Sequence, residues 1–303
     1  MKPTTLFIAL CVIIAAGAAF FAIGKGGIQG IYSQTSNSMP IQSHRSYFIK
    51  SDSRGKSYAV GVPQEYSFSI VDEQGATLKD FQITHTKPMH VIVARKDLAY
   101  FQHVHPEYDP ASGTFSFSDL TFPAPGPYRI FADFAPAGAQ MDSMGMSLGV
   151  TLSEDVSVGA PAAYAPQPIG SEERAKSFDG YQVTLRTGGT PSSGAESSLA
   201  FDISRGGVPV TDLQEYLGAL GHMVVLREGT LDFIHAHPID SASARQNGTV
   251  SFMVSFPAAG KYKIFTQFQR AGTVLTTDFA VTVVQGVASG DSMQGMDHSM
   301  MHH

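Results

Sequence analysis

The strongest constraint on this chain is that it repeats itself. Pro88-Met89-His90 leads through an apolar stretch to Arg95, then to Phe101-Gln-His103-Val-His105-Pro106. Leu220-Gly221-His222 leads through a similar stretch to Arg227, then to Phe233-Ile-His235-Ala-His237-Pro238, each histidine 132 residues after its counterpart. Later landmarks match too: Phe122-Pro-Ala-Pro-Gly126-Pro-Tyr128-Arg-Ile-Phe131 against Phe256-Pro-Ala-Ala-Gly260-Lys-Tyr262-Lys-Ile-Phe265. A period this long describes a duplicated domain, and 303 residues accommodate two such domains.

Each copy reads as short strands with period-two alternation and frequent turn residues, and no 3.6-residue pattern is sustained. Gly126-x-Tyr128 and Gly260-x-Tyr262, each leading into a strand, resemble the tyrosine corner of immunoglobulin-like sandwiches, in which the phenol ties back to nearby backbone. The fold expected is all-β: two tandem Ig-like β-sandwich domains after an N-terminal transmembrane helix. The boundaries read as 1–24 for a signal anchor or signal peptide, 25–55 for a Gly/Ser/Gln-rich flexible linker and 56–158 for the first domain. A linker over 159–175, the second domain over 176–286 and a disordered tail over 287–303 follow.

Leu6 to Ile23 is uninterrupted and apolar, and at about 1.5 Å per residue it would span roughly 27 Å, close to a bilayer core. Two readings stand, an uncleaved anchor and a peptide cleaved near Ala15-Ala16-Gly17-Ala18-Ala19. The apolar run continues through Phe20-Phe21-Ala22-Ile23, which favours the anchor. Either way the domains are expected outside the cytoplasm, as a single-pass cell-membrane protein facing the periplasm or the extracellular side. Cys11, the sole cysteine, lies in this run and leaves both domains without a disulfide; Leu10 before it argues against a lipoprotein. Net charge is −6 with no Lys/Arg cluster, which excludes a nucleic-acid footprint.

The histidines carry the chemistry. A two-residue hairpin turn at Lys96-Asp97, and likewise at Glu228-Gly229, would set His90 opposite His103 and His222 opposite His235. His105 and His237 lie two residues further on the same face. The companions of His90 on that face are Ile92, Ala94, Ala99 and Phe101, so it reads as the core face and the triads as sitting at the sandwich rim. Three imidazoles converging in a small β domain are hard to account for without a metal, although rim packing inherited through duplication would also repeat them.

Soft donors accompany them. Met141, Met144 and Met146 fall in the expected F–G loop, beside the B–C loop that precedes His90. Thioethers favour Cu(I), and imidazole suits Cu(I), Cu(II) and zinc. Mixed His/Met provision therefore points to copper, with zinc or silver as alternatives, and the second triad, lacking such methionines, would suit Cu(II) or zinc. His85 reads as a fourth ligand or a solvated loop residue, the latter favoured. The tail holds Met293, Met296, His298, Met300, Met301, His302 and His303 within thirteen residues, the composition of a copper-capturing arm.

The stretches Met89–Pro106 with Phe122–Phe134, and Gly221–Pro238 with Phe256–Phe268, resemble bacterial exported proteins with YtkA-like or heavy-metal-associated Ig-like domains. The tail resembles those of periplasmic copper-resistance proteins. This resemblance implies an extracytoplasmic metal-handling role. Copper-resistance sandwiches use an N-terminal histidine as ligand; here a hydrophobic segment stands there, so that site type does not carry over. The function expected is a membrane-tethered, extracytoplasmic copper-binding protein that sequesters or transfers metal. Its partners would be metal ions, the membrane and a metal-transport or envelope protein. Two alternatives stand: a non-catalytic structural or interaction module with rim-packed histidines, and a copper redox enzyme faintly similar to copper-zinc superoxide dismutases. No Ser-His-Asp or Cys-His arrangement is evident, so no enzyme is expected.

Overall fold

The computed structural model describes residues 46–53, 55–140, 149–236, 238–240 and 242–286. The expected membrane segment, Met141, Met144, Met146, His237 and the 287–303 tail lie outside the described residues. Among the described residues, no helix is long and apolar enough to cross a membrane.

The first repeat comprises β1 (Tyr47–Ser51), β2 (Ser57–Tyr58), β3 (Gln64–Asp72), β4 (Phe81–Gln82), β5 (His90–Arg95), β6 (Phe101–Val104), β7 (Glu107–Asp109), β8 (Thr114–Leu120), β9 (Gly126–Pro136) and β10 (Val150–Val158). The second comprises β11 (Ala175–Phe178), β12 (Tyr181–Thr187), β13 (Glu196–Arg205), β14 (Val208–Pro209), β15 (His222–Arg227), β16 (Phe233–Ala236), β17 (Pro238–Asp240), β18 (Thr249–Ser255), β19 (Gly260–Arg270) and β20 (Thr273–Val283). A short helix, α1 (Ala242–Asn247), precedes β18. In the first repeat, sheet β1-β3-β8-β7 faces sheet β2-β10-β9-β5-β6; in the second, β11-β12-β13-β18-β17 faces β16-β15-β19-β20. These are two Ig-like β-sandwiches. Strand β1 falls in the stretch read as a linker: Tyr47 and Ile49 alternate inward, a pattern only five residues long in Ser- and Gln-rich surroundings.

Each sandwich has its own core. Val91 and Val93 of β5 meet Ala132 and Ile130 of β9 across the ladder, over Tyr66, Phe68 and Phe115 of the facing sheet. Val225 packs with Ile264, Phe201 and Phe252 in the second. Both tyrosine corners form: Tyr128 Oη donates to Ala124 O at 2.8 Å, and Tyr262 Oη to Ala258 O at 2.7 Å.

The alternate positions of β5 point away from this core, yet every residue of the strand is buried. Ile92, Ala94, Leu98 and Phe131 of the first sandwich form a third apolar cluster with Val224, Leu226, Leu231, Phe265 and Ala280 of the second. The two sandwiches therefore pack outer sheet face to outer sheet face. Phe101 stacks on Phe265 with centroids 4.3 Å apart and planes at 8°, and Phe131 meets Phe233 at 5.1 Å. Phe233 is the counterpart of Phe101, and Phe265 that of Phe131, so a half-turn exchanges the two contacts: the seam is pseudo-two-fold. The linker is docked along it, with Ile169 buried in the apolar cluster. Gln167 N donates to Asp97 Oδ2 at 2.8 Å, and Lys263 Nζ to Ile169 O at 3.1 Å. Gly126, at φ +134°, lies beneath the linker's Tyr164, whose ring any Cβ there would strike.

Candidate metal centre

The hairpin that presents the histidines is wider than expected. Leu98 N donates to Arg95 O, and Arg95 N to Tyr100 O, closing a four-residue loop over 96–99. Lys-Asp lacks the residues a two-residue turn prefers. Instead, Asp97 takes a fork from Arg95 Nε and Nη2 at 2.8 and 2.7 Å, and Leu98, at φ +61°, turns into the seam. The ladder consequently pairs Ile92 with His103, and Val224 with His235, so the expected pairs His90–His103 and His222–His235 are not opposed. The slip is an even number of residues and keeps the first triad on one face. That face is the seam, not the sandwich core, because Val91, Val93 and their β9 partners fill the interior.

The triad converges nonetheless. His90 Nδ1 lies 3.1 Å from His103 Nε2 and 3.1 Å from His105 Nε2, and one ring nitrogen from each falls within 4.8 Å of the others. Imidazoles bound tetrahedrally to one ion at 2.0–2.1 Å hold their nitrogens about 3.3 Å apart, so two of the three spacings are close to that of a metal site. His90 and His103 are buried, and His105 is half-buried.

Outer hydrogen bonds orient two of the rings. His90 Nε2 lies 2.9 Å from Thr84 O. A carbonyl only accepts, so this nitrogen carries a proton, and whenever the ring is neutral its Nδ1 lone pair faces inward. His103 Nδ1 lies 2.8 Å from Oε1 of Gln267, a residue of the second sandwich, while Gln267 Nε2 donates to Thr276 Oγ1 at 3.2 Å. That fixes the Gln267 amide and leaves the His103 Nε2 lone pair directed inward. Two acceptor nitrogens 3.1 Å apart repel unless a cation or a shared proton sits between them. Burial, with smaller contributions from His90 and Lys87, pushes the His105 imidazole down to about 3, so this ring is neutral, and able to ligate, at neutral pH.

The second sandwich repeats part of this frame. His222 Nε2 donates to Tyr216 O at 2.9 Å, as His90 does to Thr84, and His222 is buried. His235 occupies β16 opposite Val224. His85, favoured above as a solvated loop residue, is half-buried, its ring centroid 5.9 Å from that of His90 and 5.2 Å from that of His222. Sequence reasoning missed Gln267 altogether: it lies opposite His222 on the β15–β19 ladder, but the ring it holds is His103 of the other sandwich, a contact that no spacing within one repeat signals.

No curated protein matches the chain in sequence. Among solved structures it is similar to the fibronectin(III)-like modules of CbhA from Clostridium thermocellum, at 10% identity and TM-score 0.20, over 84% of this chain and 100% of that one. It is similar also to domains 5–6 of the S-layer protein SbsC, at 15% identity and TM-score 0.23, over 80% and 100% of the two chains. Trypsin-activated alpha-2-macroglobulin from Escherichia coli is similar at 13% identity and TM-score 0.26, over 79% of this chain but 15% of that one. A family model described as "Domain of unknown function (DUF8832)" matches residues 47–144 and 176–285, and the chain belongs to that family.

Proposed function

We propose that the protein binds copper outside the cytoplasm, tethered to the membrane by its N-terminal apolar segment, and sequesters the metal or hands it to a transport or envelope partner. The observation that carries this reading is the approach of His90 Nδ1 to His103 Nε2 at 3.1 Å, each ring having its other nitrogen on an oxygen acceptor, with a neutral His105 beside them. A Lewis acid at that point replaces a repulsion by three bonds. Copper is preferred to zinc because Met141, Met144, Met146 and the Met/His-rich tail add the thioethers that suit Cu(I). The tail and loop methionines would capture the ion, and His90, His103 and His105 would hold it.

Copper titration of the full-length protein tests this, monitored by bound metal and by melting. At about 100 times its dissociation constant a specific ligand adds about 2.7 kcal/mol of stability, a rise of several degrees. The double variant His103→Ala, His105→Ala should lose one copper per chain; unchanged stoichiometry would remove the triad from the account. A purely structural reading draws on the His103–Gln267 hydrogen bond, which makes the imidazoles a clamp between domains. It requires that copper leave the melting temperature where it was.

A further inference from the structure

We propose a second metal-ion position beside the triad, built across the domain seam by His85 of the first sandwich and His222 of the second. The proposal rests on the reading of the triad as a copper centre for its choice of ion, but its ligands are different residues.

Three observations converge on this pair. The first is where His85 sits. Thr84 and Lys87 exchange backbone hydrogen bonds around His85 and Thr86, whose φ angles are +49° and +67°. Positive φ at both central positions makes a type I′ turn, which favours Asn-Gly. A β-branched residue at φ > 0 is an outlier. The corresponding turn of the second sandwich, Leu217-Gly218, has the same geometry with a glycine in place of Thr86. Backbone held in a sparsely populated region clusters at functional sites. Here the strained turn carries an imidazole to the seam.

The second observation is what it meets. The His85 and His222 ring centroids lie 5.2 Å apart at 81°, the same range as the 5.3, 4.9 and 4.8 Å separations within the triad. With a metal–nitrogen bond of 2.0–2.1 Å and a ring radius of roughly 1.1 Å, two imidazoles on one tetrahedral ion have centroids about 5.2 Å apart. The third is tautomer. Donation from His222 Nε2 to Tyr216 O turns the Nδ1 lone pair to the interior, the arrangement seen in His90 of the triad. Such an outer hydrogen bond is how proteins orient an imidazole that ligates metal.

The two positions adjoin. His85 lies 5.9 Å from His90, and His222 6.3 Å from His103, centroid to centroid. Two copper ions so held would be near enough for magnetic coupling, which a lone ion bound elsewhere on the chain cannot show.

The test loads full-length protein with Cu(II), removes unbound metal, counts copper and records the electron paramagnetic resonance spectrum. The probe variant is His85→Leu, because leucine already occupies this turn position in the second sandwich and the fold accepts it there. The native protein should show a half-field line from a coupled pair. His85→Leu should lose one copper per chain together with that line, and keep the copper that His103→Ala, His105→Ala removes. Copper on the tail is common to all variants and drops out of the difference. A His85→Leu protein with native copper content overturns the second position and leaves the triad standing. A His103→Ala, His105→Ala protein with native copper content overturns the triad instead.

Discussion

Gln267 is the side chain on which the first domain's site depends most for help from outside. Its Oε1 holds His103 in the tautomer that offers Nε2, and its own amide is fixed by Thr276. Removing such an outer partner typically weakens metal binding 10–100-fold without abolishing it. Gln267→Leu should therefore raise the copper dissociation constant of the triad by about that factor, measured by competition with a chelator, while stoichiometry is kept. His105 carries the pH dependence. Its folded pKa, about 3, lies below the ordinary 6.5, so between those values the unfolded chain binds the extra proton. The metal-free protein should thus hold this contribution above about pH 6.5 and lose it progressively as pH falls towards 3. Melting temperatures measured over that range should fall less steeply in His105→Asn than in the native protein.

At the level of elements, the strand assignment and tyrosine corners were legible because period-two alternation and Gly-x-Tyr are local signals. The convergence of three imidazoles was legible for the same reason: parity on a strand survives an even slip. The turn was not, since Arg95, Asp97 and Leu98 make their four-residue loop through side-chain contacts that no spacing rule carries. The face was misread for a different reason. His90-Val-Ile-Val-Ala-Arg95 is apolar on both faces, the mark of a strand covered on both sides, and only a partner sheet decides which side is interior. Phe131 stands on that second side, against Phe233. Phe131→Ala should cost about 3–5 kcal/mol, the range for burying a phenylalanine's cavity, with the loss falling on domain docking. Faster proteolysis of the linker at unchanged β content by circular dichroism would report it, whereas an unaltered linker would show the seam to be weak.

For the whole molecule, the seam makes each sandwich dependent on the other. An isolated repeat would expose Ile92, Ala94, Phe101 and Phe131, or their counterparts, as one apolar patch of the kind soluble monomers rarely show. Halves produced separately by cutting between Pro161 and Pro166 should therefore associate in trans. Size-exclusion chromatography of the mixture should give one species of native mass, and two independently eluting monomers would contradict this. The half-turn that exchanges the Phe101–Phe265 and Phe131–Phe233 stacks has a consequence of its own. A chain carrying just one repeat meets the same complementarity in a second copy of itself, as any isologous homodimer does. Joining the two in one polypeptide replaces a dilution-sensitive encounter with a local concentration on the order of millimolar. Once fused, the halves no longer have to stay identical, which frees His85 and Gln267 to differ from Leu217 and Asp133.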